Sequence, residues 1–276
     1  MIATFSANLG QADHWRDFLD ELLIKHGSPQ LFGTFFFEAV TKAREAGIEI
    51  VFGDFETLVA LNAANARNWP PLIPLFDPEF GDLGAQNAFC IFGINRSNEV
   101  VATHAGRLFD WTYSHFAEEA QSLRLFYADP ARMKLEGEAC SVSASTAEQV
   151  RGRVVYSGAA WIRPDYRGRG LSSIFPRIGK VFPYTLWRPD YIVSLMTEET
   201  WRRGLSGRVG YSKVDWAVNM RNSRIGTRRF ALLSMKEACI LRYAEEFLMA
   251  RSSKIDVGIL DRGTQHPMAV RRIAVG

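Results

Sequence analysis

The stretch Trp161-Ile162-Arg163-Pro164-Asp165-Tyr166-Arg167-Gly168-Arg169-Gly170-Leu171-Ser172 decides how the chain reads. It closes an apolar run, Val154 to Ile162, whose length suits a buried strand. Arg163-Pro164 ends that strand, because proline has no N–H to give a neighbour. A tight basic turn follows, Arg167 to Gly170, and then Leu171, Ile174, Phe175 and Ile178 recur at helical spacing. Strand, glycine turn and helix together can bind an anion. Glycines let the backbone come close, and a helix start offers unpaired N–H groups and a partial positive charge. The same turn also reads as an ordinary surface turn. Two phosphate motifs are excluded: no Lys-Ser or Lys-Thr pair follows the second glycine, and the third glycine of a dinucleotide fingerprint is missing.

A second pattern lies downstream. Tyr191 to Met196 reads as another buried strand, followed by a helical stretch ending in Leu205-Ser206-Gly207-Arg208-Val209-Gly210-Tyr211. Gly210 suits a left-handed helix terminator.

Ile162 to Ser172 resembles the acetyl-CoA-binding signature of the GNAT superfamily of N-acetyltransferases, a strand-terminal V-x-P followed by Q/R-x-x-G-x-G/A. Arg167, Gly170 and Ser172 occupy its positions, serine being a small departure. Leu205, Gly210 and Tyr211 resemble the family's later L-Y-x-x-x-G-F element. The resemblance covers Val154 to about Asp215, and by strand pattern Ile48 to Met235. It implies an α/β (α+β) fold, a mixed, mostly antiparallel sheet flanked by helices, here with an N-terminal helical extension and a helical insertion before the signature strand.

The resemblance also implies a cofactor, acetyl-CoA or another acyl-CoA. Its pyrophosphate would lie on main-chain N–H groups from Arg167, Gly168, Arg169, Gly170, Leu171 and Ser172, and its pantetheine arm along Trp161 and Ile162. No metal is implied. Acyl transfer to an amine then needs alignment, removal of a proton and a main-chain N–H for the oxyanion. Many relatives carry a glutamate on the signature strand, but Tyr156 to Ala160 holds no carboxylate. Many place a tyrosine four residues before the glycine of the second motif, where this chain has Ser206. Both departures put the usual acid–base pair in doubt. The catalytic candidates are Ser206, Glu198 and Tyr211, with Glu199, Glu136, Glu138 and His104 as further substitutes. Each carboxylate also reads as a solvated surface group, and His104 as a satisfied core histidine.

At 276 residues the chain can bury a sizeable core as one large domain with extensions. The reading divides it into a helical extension over 1–47, an acyl-CoA-binding domain over 48–235 with an insertion at about 109–152, and a helix and basic tail over 236–276. A hydrophobic fraction of 47% and a charged fraction of 23% are ordinary for a soluble globular protein. No run approaches the roughly 18 apolar residues of a membrane span, and the start, MIATFSANLGQADHW, has no secretory pattern, so the expected location is cytoplasmic and no membrane partner is expected. Cys90, Cys140 and Cys239 are far apart and odd in number, which favours buried thiols over disulfides or zinc. The net charge of +3 hides an arginine-rich segment from Arg151 to Arg229. Such a basic half implies a polyanionic partner: a phosphorylated cofactor, an acidic substrate or nucleic acid.

In chain order, Trp15, Phe18, Leu19, Leu22 and Leu23 predict an amphipathic helix with Asp13 or Asp17 near its start, and a second helix is expected from about Leu31 to Ala46. These could cover the core or a second copy in a homodimer. A strand at Ile48–Phe52 and a helix at Phe55–Arg67 lead into a proline-rich loop, Asn68 to Gly84, of the kind that lines substrate entrances. Ala88–Ile94 and Glu99–Leu108 predict a hairpin. The insertion is expected to be helical over Tyr113–Met133, serine-rich over Cys140–Thr146, and to border the acceptor side of the cleft. Val214–Met220 and Arg229–Leu233 predict a closing pair, followed by a helix over Lys236–Arg251. Three functions fit. The first is N-acyl transfer to a small-molecule amine or a protein amino group. The second is a catalytically silent acyl-CoA sensor or scaffold. Nucleic-acid binding is the third, and it lacks a reading helix or stacking platform.

Overall fold

The computed structural model describes residues 15–202 and 210–262, without the side chains of 250–262. Its strands are β1 (Arg16–Asp17), β2 (Glu49–Phe52), β3 (Ala88–Ile94), β4 (Val100–Trp111), β5 (Ala139–Val142), β6 (Gly152–Ile162), β7 (Tyr191–Thr197), β8 (Lys213–Ser223) and β9 (Gly226–Lys236). The helices are α1 (Pro29–Glu45), α2 (Phe55–Ala64), α3 (Phe116–Gln121), α4 (Pro130–Met133), α5 (Thr146–Gln149), α6 (Leu171–Trp187), α7 (Glu198–Arg202) and α8 (Glu237–Arg262). All nine strands form one sheet in the order β1-β2-β3-β4-β6-β7-β9-β8-β5. Every neighbouring pair is antiparallel except β6 and β7, which are parallel and joined through α6. This is the mixed, mostly antiparallel α/β fold expected from the sequence. No described helix is long and apolar enough to cross a membrane.

Local chemistry fixes the elements that frame the sheet. Ser28 caps α1 by accepting the Leu31 amide at 3.2 Å, and Pro29 stands in the first turn, where its missing N–H costs nothing. Phe32, Phe35, Phe36, Ala39, Val40 and Ala43 then recur on one buried face. Asp54 caps α2 through the Thr57 amide at 2.6 Å. In the β3–β4 turn, Asn95 Oδ1 accepts the amides of Ser97 and Glu99.

Two large cores lie on the two faces of the sheet, and a third, small cluster gathers Met196, Ala231 and Leu233. On one face α1, α6 and α8 pack, and the Phe182 ring meets those of Phe18, Phe52 and Phe89 at 5.5, 5.4 and 5.1 Å. The other face is covered by α2, the 68–84 loop and the insertion, through Trp69, Phe76, Phe116, Phe126 and Tyr127.

Two expectations are corrected. The helix with Asp13 or Asp17 near its start is not formed over the described residues. Asp17 Oδ1 instead accepts the amides of Leu19 and Asp20, making a turn. The Phe18 amide joins Ile50 at the sheet edge, and the Lys25 and His26 amides both donate to Thr185 O at 2.9 Å. Phe18 is fully buried in this extended path, so tertiary packing overrides the helical spacing. The insertion also departs from a continuous helix. Leu123 takes a left-handed φ of 64°, and the chain turns there after α3. Its serine-rich part forms β5, which pairs with β8 at the far edge of the sheet.

Phe182→Ala should destabilise the fold by about 3–5 kcal/mol, the usual cost of emptying an aromatic core site. A lowered urea midpoint with unchanged slope is the expected result.

Candidate functional site: a cleft where two parallel strands part

β6 and β7 pair only from Val154 to Tyr156 against Tyr191 to Val193. Both strands continue, to Ile162 and Thr197, without pairing further. The cause lies on their outer neighbours. Between Ala105↔Gly158 and Thr103↔Trp161, two residues of β6, Ala159 and Ala160, stand opposite the single residue His104 of β4. Such a bulge bends the strand that carries it. Ala159 has a φ of 50°, and Thr103 Oγ1 holds its carbonyl at 2.7 Å. β7 meanwhile follows β9 without interruption from Tyr191↔Lys236 to Thr197↔Phe230. The strands therefore diverge, and a cleft of about 600 Å³ opens between them.

The basic turn lies at the mouth of this cleft. Gly168 and Gly170 have φ of +82° and +81° with open space around them, a conformation that suits glycine. The Arg167 amide bonds Pro164 O at 3.3 Å, and the Ser173 amide closes onto Gly170 O at 2.9 Å. Between them, the amides of Gly168, Arg169, Gly170, Leu171 and Ser172 have no acceptor among the described residues. The turn from Arg167 to Gly170 is exposed. Trp161, Ile162, Arg167, Gly168, Leu171 and Ser172 line the cleft, while Arg169 and Gly170 stand beside it. Arg167 Nε donates to Ile162 O at 3.1 Å, and the Arg169 guanidinium lies over the Tyr166 ring at 4.2 Å. The Trp161 indole stacks on Trp69 with centroids 5.0 Å apart, and its buried Nε1 has no acceptor.

At the base of the cleft sits a polar cluster. Ser157 and Ser194 are the first residues beyond the last paired ones, Tyr156 and Val193, and the Tyr211 hydroxyl is within hydrogen-bonding reach of both. Burial raises the Tyr211 hydroxyl's pKa, so it keeps its proton, although the two serines favour the phenolate. Tyr156 Oη accepts the Leu195 amide at 3.2 Å, tying β7 where the strands part. His104 Nε2 lies 2.8 Å from Ser157 Oγ, and its buried Nδ1 has no partner. The tautomer with Nε2–H donating to Ser157 leaves only a lone pair unmatched, and we assign it on that ground. Gly179 makes room for the ring, since a Cβ there would lie 2.1 Å from it. Burial, helped by the nearby Lys180 charge, lowers His104 to about 3, so it is neutral.

Lys180 is the unusual group. It is only 1% exposed, yet it borders the cleft and has no ion pair among the described residues. Its Nζ donates to Pro176 O at 3.0 Å and lies over the Tyr211 and Tyr243 rings at 4.7 and 5.3 Å. Burial first, and Arg177 second, push its pKa down to about 7. Lys180 has a sequence signal that its neighbours carry: a lysine inside Ile178-Gly179-Lys180-Val181-Phe182, on the helical face that also holds Ser172 and Pro176.

Of the other candidate residues, Glu198 opens α7 with its carboxylate on Arg202 Nη2 at 2.6 Å and does not border the cleft. Glu138 is buried in the insertion, where it accepts from Tyr127 Oη at 2.9 Å, and Glu136 is exposed. Ser206, with Leu205, lies outside the described residues. No described residue of the insertion borders the cleft; the 68–76 segment and the β8–β9 hairpin do so instead. Among the described residues no cluster of His, Cys, Asp and Glu suits a metal ion, and the lining of the cleft contains no aspartate or glutamate.

No family model matches the sequence, and no curated protein matches it. Solved structures do. A chimeric spermidine N-acetyltransferase SpeG from Vibrio cholerae and hSSAT is similar at 9% identity and a TM-score of 0.42, over 71% of this chain and 99% of that one. A Klebsiella pneumoniae protein assigned as an acyl-CoA N-acyltransferase matches at 12% identity and a TM-score of 0.38, over 69% and 98%. A ribosomal-protein-S5-alanine acetyltransferase from Vibrio fischeri matches at 10% identity and a TM-score of 0.39, over 69% and 93%.

Lys180 makes stability depend on pH. Unfolded, it binds its proton below 10.5, and folded only below about 7. Stability should therefore be highest above 10.5, fall as pH drops toward 7, and show no further change from this group below that. Lys180→Met should be more stable than the parent at pH 6–7, on the order of 5 kcal/mol as an upper bound. That difference should shrink toward pH 10 in urea titrations at each pH.

Proposed function

We propose that this chain is a GNAT-superfamily N-acyltransferase that moves an acyl group, acetyl in the simplest case, from CoA directly to an amine. The observation that carries this is the parting of β6 and β7 beside a turn with five amides that lack acceptors among the described residues. A diphosphate suits those amides and the start of α6. The unpaired edge of β6 past Tyr156 suits the amides of a pantetheine arm, which can bond to it as an added strand would.

The chemistry asked of the protein is modest. The amine nitrogen attacks the thioester carbon, the carbon–sulfur bond breaks, and the thiolate leaves. A main-chain N–H of the bulged segment at Ala159–Ala160 supports the oxyanion. Lys180, neutral above about pH 7, is placed to take the proton lost by the amine. Tyr211, which burial keeps protonated, supplies a proton to the thiolate. Glu198 has no part in this scheme, being engaged with Arg202 outside the cleft.

Calorimetry with acetyl-CoA tests the cofactor, and thiol release across a panel of amines then separates an enzyme from a silent acyl-CoA-binding module. Gly170→Asp should abolish binding while leaving the melting temperature nearly unchanged. Its Cβ meets nothing within 4 Å, aspartate tolerates the left-handed φ better than most residues, and the carboxylate repels a diphosphate. Retained binding would contradict the placement. For the active enzyme, kcat should rise about tenfold per pH unit below 7 and level off above it. In Lys180→Met that limb should vanish, with kcat reduced roughly 10²–10⁴-fold.

A further inference from the structure

The cleft also constrains the acceptor. Resting on the N-acyltransferase reading, we infer that the acceptor amine sits on an apolar body that also bears a carboxylate, as in apolar amino acids and short peptides, and that polyamines are rejected. The first observation is the charge of the lining. Arg167 and Arg228 border the cleft as charged groups, Lys180 adds a third positive charge only below about pH 7, and among the described residues no carboxylate borders it. A polycation entering it would exchange water for like charges with no counter-charge, and close like-charge contacts discriminate strongly against a ligand.

The second observation is the wall that the acceptor would meet. α6 closes one face of the sheet and carries the turn, so an amine must approach from the other face. There Trp69, Leu72, Ile73 and Phe76 stand on one side and Ile225 and Phe230 on the other. Such surfaces take a flat or branched hydrocarbon, not a chain of ammonium groups.

The third observation supplies the anion's partner. Arg228 is an exposed residue bordering the cleft, and its Nε donates to Ile225 O at 2.8 Å, which tethers the guanidinium there. Its two terminal nitrogens have no acceptor and no ion pair among the described residues. That fork matches a carboxylate. Trp161, only 5% exposed and stacked on Trp69, adds an apolar surface to the lining.

The test measures thiol release from acetyl-CoA with phenylalanine, phenylalanyl-glycine, leucine, phenethylamine and spermidine. The two aromatic carboxylates place amine and carboxylate at different separations. The expected result is that the better of them exceeds phenethylamine at least tenfold in kcat/KM, with spermidine far below both. Arg228→Gln should raise KM at least tenfold for the carboxylate-bearing acceptor, with KM for phenethylamine and the Kd for acetyl-CoA unmoved. Arg228→Lys should restore part of the loss. Spermidine as the preferred acceptor, or an equal effect of Arg228→Gln on phenylalanine and phenethylamine, would overturn this inference and leave the acyltransferase standing. Bound acetyl-CoA with no thiol release from any amine would overturn both.

Discussion

Two ladders pull β6 and β7 in different directions, and the rest of the site depends on that conflict. On one side β6 must absorb Ala159 and Ala160 opposite His104 alone. On the other β7 is held straight by β9 over its whole length. A parallel pair can satisfy both only by ending early, so the ladder stops at Tyr156 and Val193. The cost is concrete: Ala159 takes a left-handed conformation that disfavours a side chain. The Thr103 hydroxyl and the Tyr156–Leu195 bond hold the parted strands in place.

Once the strands part, their backbone and the side chains between them face the cleft, where burial withholds solvent from several titratable groups. Charge in that space is expensive. His104 is neutral, Tyr211 keeps its proton, and Lys180 loses most of the preference of an ordinary lysine for its charged form. Two of them are linked, since the Lys180 charge is itself a cause of the His104 shift. Gly179 is part of the same arrangement, because only a residue without a side chain lets α6 lie against the His104 ring. The missing carboxylates then acquire meaning. A site whose described lining has no acidic side chain can still move a proton when a lysine is dry enough to be neutral near pH 7.

Much of this was legible in the chain because its signals are local. The proline stop, the paired glycines and the helical spacing after Gly170 all act within a few residues, so the strand, turn and α6 fall where the sequence places them. The same holds for α1, whose cap and apolar face are adjacent in sequence. The segment around Phe18 misleads because its apolar spacing fits a helix, whereas Asp17 ties the local amides and Phe18 gains more against Phe36, Phe52 and Phe182. β5 was missed for a different reason. Cys140, Val142 and Ala144 do alternate with Ser141, Ser143 and Ser145, but in a short run of small residues whose pairing partner is β8, far along the chain. That pairing carries the insertion to the far edge of the sheet, while the proline-rich loop takes the place beside the cleft. Lys180 was visible as a lysine among apolar residues, but its proximity to His104 and Tyr211 is tertiary and cannot be read from spacing.

Amide hydrogen exchange across 166–173 tests the parted-strand site most directly, followed with and without saturating CoA. Fast exchange at Gly168 to Ser172 in the free protein, slowed strongly and selectively by CoA, is the expected result. Slow exchange in the free protein, or rates that CoA leaves unchanged, would contradict it.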